Sequence, residues 1–385
     1  MKRINYMLLS ALMLSILASC DNFMDVHQEY NKGGEIIYAP KIDSMVFIAG
    51  RNRIQFRYWL YKSPNVRSVD LYWNDGIDSL IIPVTPSAGI DSFYTMIPNL
   101  EEKSYTFRAR TTDAHGHKSL YTTTFGTSYG DIYESSLNGR RINEVTLTDG
   151  DQLNGNISLL PISAEGLVLT EVRYETTDGT TEIASAVRSV SSIVCPSARA
   201  GSFFEVRSLF IPEAESVDTF ATAWTIYQTP FPSIFQYDRS SWEVVESSDS
   251  REDASGNMGM RFILDGNMNT YWQSYYMSEE TPGQLPHWVI VDMKIPRNIV
   301  KFDIYRRNDV NDTKTVDCYL GDTPDVSGTW IKIGEGEFPE TIGPTLLEIE
   351  TTDKVFKGRY LKLVMPDSWR EPYTNIVELY PYGGN

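Results

Sequence analysis

The chain of 385 residues has only three cysteines, no apolar run long enough to cross a membrane as a helix, and fewer basic than acidic side chains. Each shortage excludes something. Three cysteines are too few for the disulfide framework of a small secreted domain. Cys195 and Cys318 read instead as small buried apolar residues, since no histidine is placed in sequence to make either a nucleophile. The longest apolar run, Met7–Leu17, is about a dozen residues against the roughly 20 that a transmembrane helix needs. With 34 Lys and Arg against 51 Asp and Glu, the net charge is -17. That balance argues against a nucleic-acid binder, which needs clustered cations at phosphates, and against docking on anionic lipid. A Gly-Lys-Ser/Thr phosphate loop and a dinucleotide fingerprint are also missing. Acidic pairs such as Glu279-Glu280 read as solvated surface, not as the two carboxylates flanking a cleft that glycoside hydrolysis requires, so no enzyme activity is expected. His115-Gly116-His117, with only Asp113 near it, reads as a hairpin tip and not a metal pair.

What is present favours strands. Aromatics make up 12% with 23 Tyr, and these side chains, with Val and Thr, suit a pleated, half-buried surface. The length exceeds what one core holds, so two or three domains are expected. The first twenty residues carry Lys2 and Arg3, the apolar run, and small residues before Cys20, the pattern of a secretory signal. Leu17-Ala18-Ser19-Cys20 resembles the lipobox of bacterial lipoproteins. That resemblance implies that Cys20 is lipidated and begins the mature chain, with membrane contact through the lipid anchor only. A plain secretory signal with a chance cysteine is the alternative. Residues 21–36 are polar and aperiodic, as a tether would be.

Alternating stretches follow at Arg53–Leu60, Val69–Trp73 and Tyr105–Thr111, separated by Asn74-Asp75-Gly76 and Pro98-Asn99. Their spacing predicts a small antiparallel sandwich over 37–128. The run Ile97–Thr111 resembles the tyrosine-corner strand of fibronectin type III domains, which makes Tyr105 the corner residue. A second fibronectin-like sandwich is expected over 129–230, with a hairpin around Asp178-Gly179 and a last strand over Thr219–Tyr227. The pair, with the lipobox, resembles the N-terminal half of surface lipoproteins from Gram-negative glycan-uptake systems. Pro230 and Pro232 mark a boundary, because two prolines in three residues cannot continue a central strand.

From Ser233 to the end, six segments occur in a recognisable order: Phe262–Trp272, His287–Met293, Val300–Asn308, Trp330–Gly334, Gly358–Leu363 and Asn375–Tyr380. The order resembles the discoidin, or coagulation-factor type C, domain, whose glycan-binding members form carbohydrate-binding module family 32. The expected chain is therefore all-β: two fibronectin- or Ig-like sandwiches followed by a galactose-binding-like jelly roll over 233–385. Trp272 and Trp288 are expected in its core.

The run Asp265-Gly266-Asn267-Met268-Asn269-Thr270 offers carboxylate, amide and hydroxyl oxygens within one tight turn, a donor set suited to calcium. The resemblance completes the shell with the backbone oxygens of Phe262 and Val377 and with Glu378, giving structural calcium held also by Asp265, Asn267 and Thr270. The alternative is an Asp265 that only caps its own turn, with Glu378 solvated. For a ligand, the resemblance implies an Arg after the strand in the segment Val300–Asn308, hence Arg306 or Arg307 in the run Tyr305–Asp309, with Asn308 or Asn311 adding an amide. Tyr275, Tyr276 and Trp369 are the aromatics expected to stack on a sugar. His287 lies beside a core strand and is a doubtful match for the family's ligand-reading histidine, which puts galactose itself in doubt.

The function implied is a lipid-anchored surface protein of the outer membrane that captures a poly- or oligosaccharide for a transporter complex or a degrading enzyme. An envelope adhesion protein whose third domain binds another protein is the alternative, because jelly rolls serve many functions.

Overall fold

A computed structural model describes residues 37–161, 165–249, 256–275, 283–343 and 345–384. Cys20 and Tyr276, with the signal and tether, lie outside them. The regular structure of the described part is nearly all strand, and the chain divides into two units, 1–135 with 212–219, and 136–211 with 220–385.

In the first unit the strands are β1 (Ser44–Ala49), β2 (Arg53–Tyr61), β3 (Val66–Trp73), β4 (Asp78–Pro83), β5 (Ile90–Pro98), β6 (Lys103–Asp113) and β7 (Thr122–Ser128). A β1-β2-β5 sheet faces a β4-β3-β6-β7 sheet. Alternation decides which side chains lie between them. Along β2, Ile54, Phe56, Tyr58 and Leu60 are buried, and along β6, Tyr105, Phe107 and Ala109 join them in one core. Tyr105 is the corner residue expected: its hydroxyl donates to the Glu101 carbonyl at 3.1 Å, tying the strand to the turn before it. Segment 212–219 belongs to this unit through Asp218, whose carboxylate accepts from Arg53 and from the Arg51 backbone N–H.

The second unit holds two cores. One sandwich contains β8 (Ile142–Thr148), β9 (Asn154–Leu159), β10 (Leu167–Glu175), β11 (Thr181–Val187), β12 (Ser192–Pro196) and β13 (Phe204–Phe210). Sheet β12-β9-β8 faces sheet β11-β10-β13, the same order as in the first unit. The continuous last strand expected over 219–227 is instead two short pieces, β14 (Phe220–Ala221) and β15 (Thr225–Ile226), both paired with β13. Phe231, between the two boundary prolines, is fully buried in this core.

The C-terminal sandwich comprises β16 (Ile234–Gln236), β17 (Glu243–Ser247), β18 (Trp272–Gln273), β19 (His287–Arg297), β20 (Lys301–Tyr305), β21 (Thr315–Gly321), β22 (Ile331–Glu337), β23 (Leu346–Glu350), β24 (Gly358–Met365), β25 (Asn375–Ile376) and β26 (Glu378–Gly384). A five-stranded β17-β19-β24-β21-β22 sheet packs on a four-stranded β16-β26-β20-β23 sheet, with β18-β25 as a small ribbon. Trp272 lies in this core as expected. Trp288 does not. Val289 and Val291 take the inward positions of β19, so the period of two turns Trp288 outward, where Lys362 Nζ lies 5.8 Å from its ring. Cys195 and Cys318 are buried, one in each core of this unit.

Candidate functional site

The loop after the short 3-10 helix Met260–Leu264 is organised by its own oxygens. Gly266 takes φ +75, a left-handed conformation that favours glycine. The Asp265 carboxylate accepts from the Asn267 backbone N–H at 2.8 Å and from the Thr270 hydroxyl, which lies 3.0 and 2.8 Å from its two oxygens. Glu378, at the start of β26, reaches this loop from the other end of the domain. Its Oε1 accepts from the Gly266 and Asn267 backbone N–H groups, and its Oε2 accepts from Arg239 Nη1 at 2.7 Å. Arg239 Nη1 also bonds the Leu379 and Ile263 carbonyls, and its guanidinium sits 3.9 Å from the Tyr380 ring centroid.

Glu378 is fully buried, and burial pushes its carboxyl above the usual carboxylate range. Arg239 opposes the rise, while the Asp265 carboxyl, within hydrogen-bonding reach, adds to it. Phe262 and Val377 flank the pair; the Val377 N–H donates to the Tyr305 carbonyl at 2.7 Å. No group of three or more His, Cys, Asp or Glu gathers among the described residues. Any cation held here would therefore draw most of its oxygens from amide, hydroxyl and main chain.

Beside this loop a groove of about 310 Å³ is lined by Met268, Asn269, Tyr271, Arg306, Arg307, Asn308 and Asp309, together with Thr345 and Val377. Tyr271 faces it because Trp272 is the inward residue of β18 and neighbours on a strand point to opposite sides. The Arg307 guanidinium lies 4.4 Å from the Tyr271 ring centroid. Two of its nitrogens bond Asp309, at 2.9 and 2.6 Å, and a third lies 3.4 Å from Gln273 Oε1. The Asn375 side chain accepts from the Arg307 backbone N–H at 2.9 Å, fixing where the side chain starts. Arg307 stays above the ordinary arginine value: burial, the largest influence, lowers it, and the Asp309 bond and charge outweigh that. The same bond holds Asp309 below the usual carboxylate range. An aromatic face, a planar fork of donors, an amide and a carboxylate thus converge on one small volume, which is what a polyhydroxylated ring needs.

The two candidate arginines part company. Both contribute to the lining of the groove, as does Asn308, but their side chains are engaged differently. Arg306 is 1% exposed and donates to the carbonyls of Thr313, Pro339 and Thr341, with its guanidinium 4.8 Å from the Phe338 ring. Its two terminal nitrogens are turned to main-chain carbonyls, while its buried Nε has no partner among the described residues. Trp369 is also elsewhere: its indole N–H donates to the Phe338 carbonyl at 3.0 Å, and Lys314 lies 4.7 Å from its ring. Tyr275 is half-buried, with its backbone N–H on Asp249, and does not line the groove. His287 is buried with Nδ1 2.8 Å from the Thr374 hydroxyl. Sequence reasoning missed Tyr271 and Asn269 as groove residues, and gave Asp309 no role of its own. For Tyr271 the signal was there: an inward Trp272 requires an outward neighbour. For Arg239 none was, because 139 residues separate it from Glu378.

Comparison with known proteins gives two family matches. Residues 243–379 match the F5/8 type C domain, the discoidin domain. Residues 20–220 match DUF4998, described as a domain of unknown function, and these are more than half of the 385. No curated protein sequence matches the chain. Among solved structures, the chain is similar to the C-terminal domain of a chitobiase from Bacteroides fragilis, with 23% identity over 39% of this chain and 98% of that one (TM-score 0.32). It is similar to a family 32 carbohydrate-binding module from C. perfringens in complex with galactose, with 17% identity over 39% and 98% (TM-score 0.32). It is also similar to a SusE-like protein, with 11% identity over 90% and 98% (TM-score 0.32). The chain belongs to the DUF4998 family and carries an F5/8 type C domain at its C-terminus.

Proposed function

We propose that the protein is a non-catalytic, lipid-anchored surface protein whose C-terminal domain captures glycan for an uptake or degradation system. The observation that carries this is the groove itself, in which Arg307 is stacked over Tyr271 and forked to Asp309. In this reading the Tyr271 ring packs against the C–H face of a sugar, Arg307 and Asn308 donate to vicinal hydroxyls, and Asp309 accepts. An acidic chain tethered through Cys20 would keep its domains in water while the acyl chains hold the membrane. The F5/8 type C family supports the assignment of a binding module, and the SusE-like likeness accords with a surface role. Residues 21–385, without the lipidated Cys20, on a glycan array test it. Binding is expected to at least one glycan class and to be lost in Arg307→Ala. Binding of a pulled-down envelope protein with no glycan retained would favour adhesion.

The domain would also hold calcium. The donor chemistry fits: the buried Glu378 carboxylate lies within hydrogen-bonding reach of the exposed Asp265 carboxylate, and two acids so close favour a proton or a cation between their charges. Asp265, Asn267, Thr270 and Glu378, with the main-chain oxygens of Phe262 and Val377, are the residues that would supply oxygens. Calcium there would add positive charge that joins the loop to the last strand. Arg239 already neutralises part of that charge, so the cation would be structural and not obligatory for folding.

A further inference from the structure

The outer face of the β4-β3-β6-β7 sheet in the first unit carries a second built pocket. Cross-strand register aligns Tyr72 with Arg108, and Arg108 with Thr123. Tyr121, just before β7, folds its ring over this row. The Arg108 guanidinium lies 4.3 Å from the Tyr121 centroid, and Arg110 lies 5.0 Å from the same ring. Arg110 Nη2 donates to the Tyr72 hydroxyl at 3.1 Å, and the Tyr72 and Tyr121 rings meet edge to face at 5.9 Å. Tyr72, Arg108 and Tyr121 bound a cavity of about 360 Å³ that Trp73, Asp75 and Thr106 also line. That volume falls within the range of about 300 to 1,000 Å³ for small-molecule sites.

Its rim is the β3–β4 turn, where Asn74, Asp75 and Gly76 are consecutively left-handed at φ 50, 56 and 88. Asn and Asp tolerate this better than other side chains, and a Cβ on Gly76 would meet nothing within 4 Å, so the rim opens to solvent. The Asn74 amide, bonded to the Asp78 carboxylate, holds the turn in place.

The charges inside are unequal. Arg110 has Asp70 3.6 Å away, whereas Arg108 is exposed and forms no ion pair among the described residues. In a chain of net charge -17, a guanidinium stacked on Tyr121 beside the Tyr72 ring, with no ion pair among the described residues, is a feature that surface solvation alone does not call for.

We propose that this pocket is a saccharide site distinct from the C-terminal groove, and that it takes a uronic-acid residue. The Tyr121 ring offers an apolar face for the C–H side of the sugar. Arg108 offers a planar fork for its carboxylate, and Asp75 accepts from a hydroxyl. The site is formed wholly by the first unit and stands whatever the C-terminal domain binds.

The test is titration calorimetry of the chain 21–385 with trigalacturonate and with trimannuronate, beside neutral galactotriose. Trp73 lines the pocket and supplies a fluorescence readout. The expected result is that at least one oligouronate binds, that Arg108→Ala and Tyr121→Ala each weaken it at least tenfold, and that Arg307→Ala leaves it unchanged. Arg108 is on the surface, so an unaltered melting midpoint separates lost binding from lost folding. No binding of either oligouronate overturns the proposal, as does equal affinity for galactotriose. Loss of oligouronate binding in Arg307→Ala with retention in Arg108→Ala also overturns it, assigning the ligand to the other groove. Failure of Arg307→Ala on the glycan array, in turn, leaves this pocket untouched.

Discussion

Arg307 stacks 4.4 Å from the centroid of Tyr271 while its fork is closed on Asp309, so one side chain joins the aromatic and the acidic walls of the C-terminal groove. Removing either partner should therefore disable the groove without touching the core. Arg307→Ala and Tyr271→Ala are each expected to weaken glycan retention in affinity gel electrophoresis at least tenfold, about 1.4 kcal/mol. Trp369→Ala, outside the groove, should change it less than twofold.

Arg306 gives the opposite pattern. Arg306→Met keeps an apolar stem over Phe338 but leaves the Thr313, Pro339 and Thr341 carbonyls without their donor. Leaving buried acceptors unpaired costs about 1 to 3 kcal/mol each before relaxation, so a loss of about 3 kcal/mol is expected. Thermal melts should register it, while glycan affinity measured well below the midpoint stays within twofold of wild type.

Chelation isolates the cation. With calcium at about 100 times its Kd, a site present only in the folded domain adds about 2.7 kcal/mol, which excess chelator should remove as a lower melting midpoint. Glu378→Gln should abolish that response. An unchanged midpoint in wild type would mean that Arg239 alone satisfies Glu378.

How much of this was legible in the sequence follows from how local each feature is. Alternation along Arg53–Tyr61 and Lys103–Asp113 names the buried faces of the first sandwich, and the Tyr105 corner is a contact four residues long, so both could be read directly. The inward Trp272 could be read as well. The Trp288 error has a physical cause: six of the first seven residues of β19 are buried, and Ile290, on the same side as Trp288, is among them. A strand apolar on both faces hides its phase. The choice between Arg306 and Arg307 was open for a related reason, since it depends on which neighbour enters the loop interior. The Arg239–Glu378 pair and the docking of Asp218 on Arg53, 165 residues away, leave no local trace.

That last contact carries a pH signature. Arg53, first through its hydrogen bond, holds Asp218 below the usual carboxylate range. A lowered folded value means that the contribution is complete above the ordinary value of about 3.9 and is lost as pH falls through that value toward the folded one. Asp218→Asn should cost about 1 to 2 kcal/mol at pH 7, a figure kept small by the 42% exposure of Arg53. Melting of the first unit should then fall more steeply from pH 6 to pH 3 in wild type than in the variant.

The most direct test is a broad glycan array probed with residues 21–385 and with Arg307→Ala, both in calcium. Strong retention of at least one glycan class by wild type, and its loss in the variant, is the predicted result. Silence across the array, or equal retention by the two proteins, would contradict the assignment of the Arg307–Tyr271 groove as a glycan site.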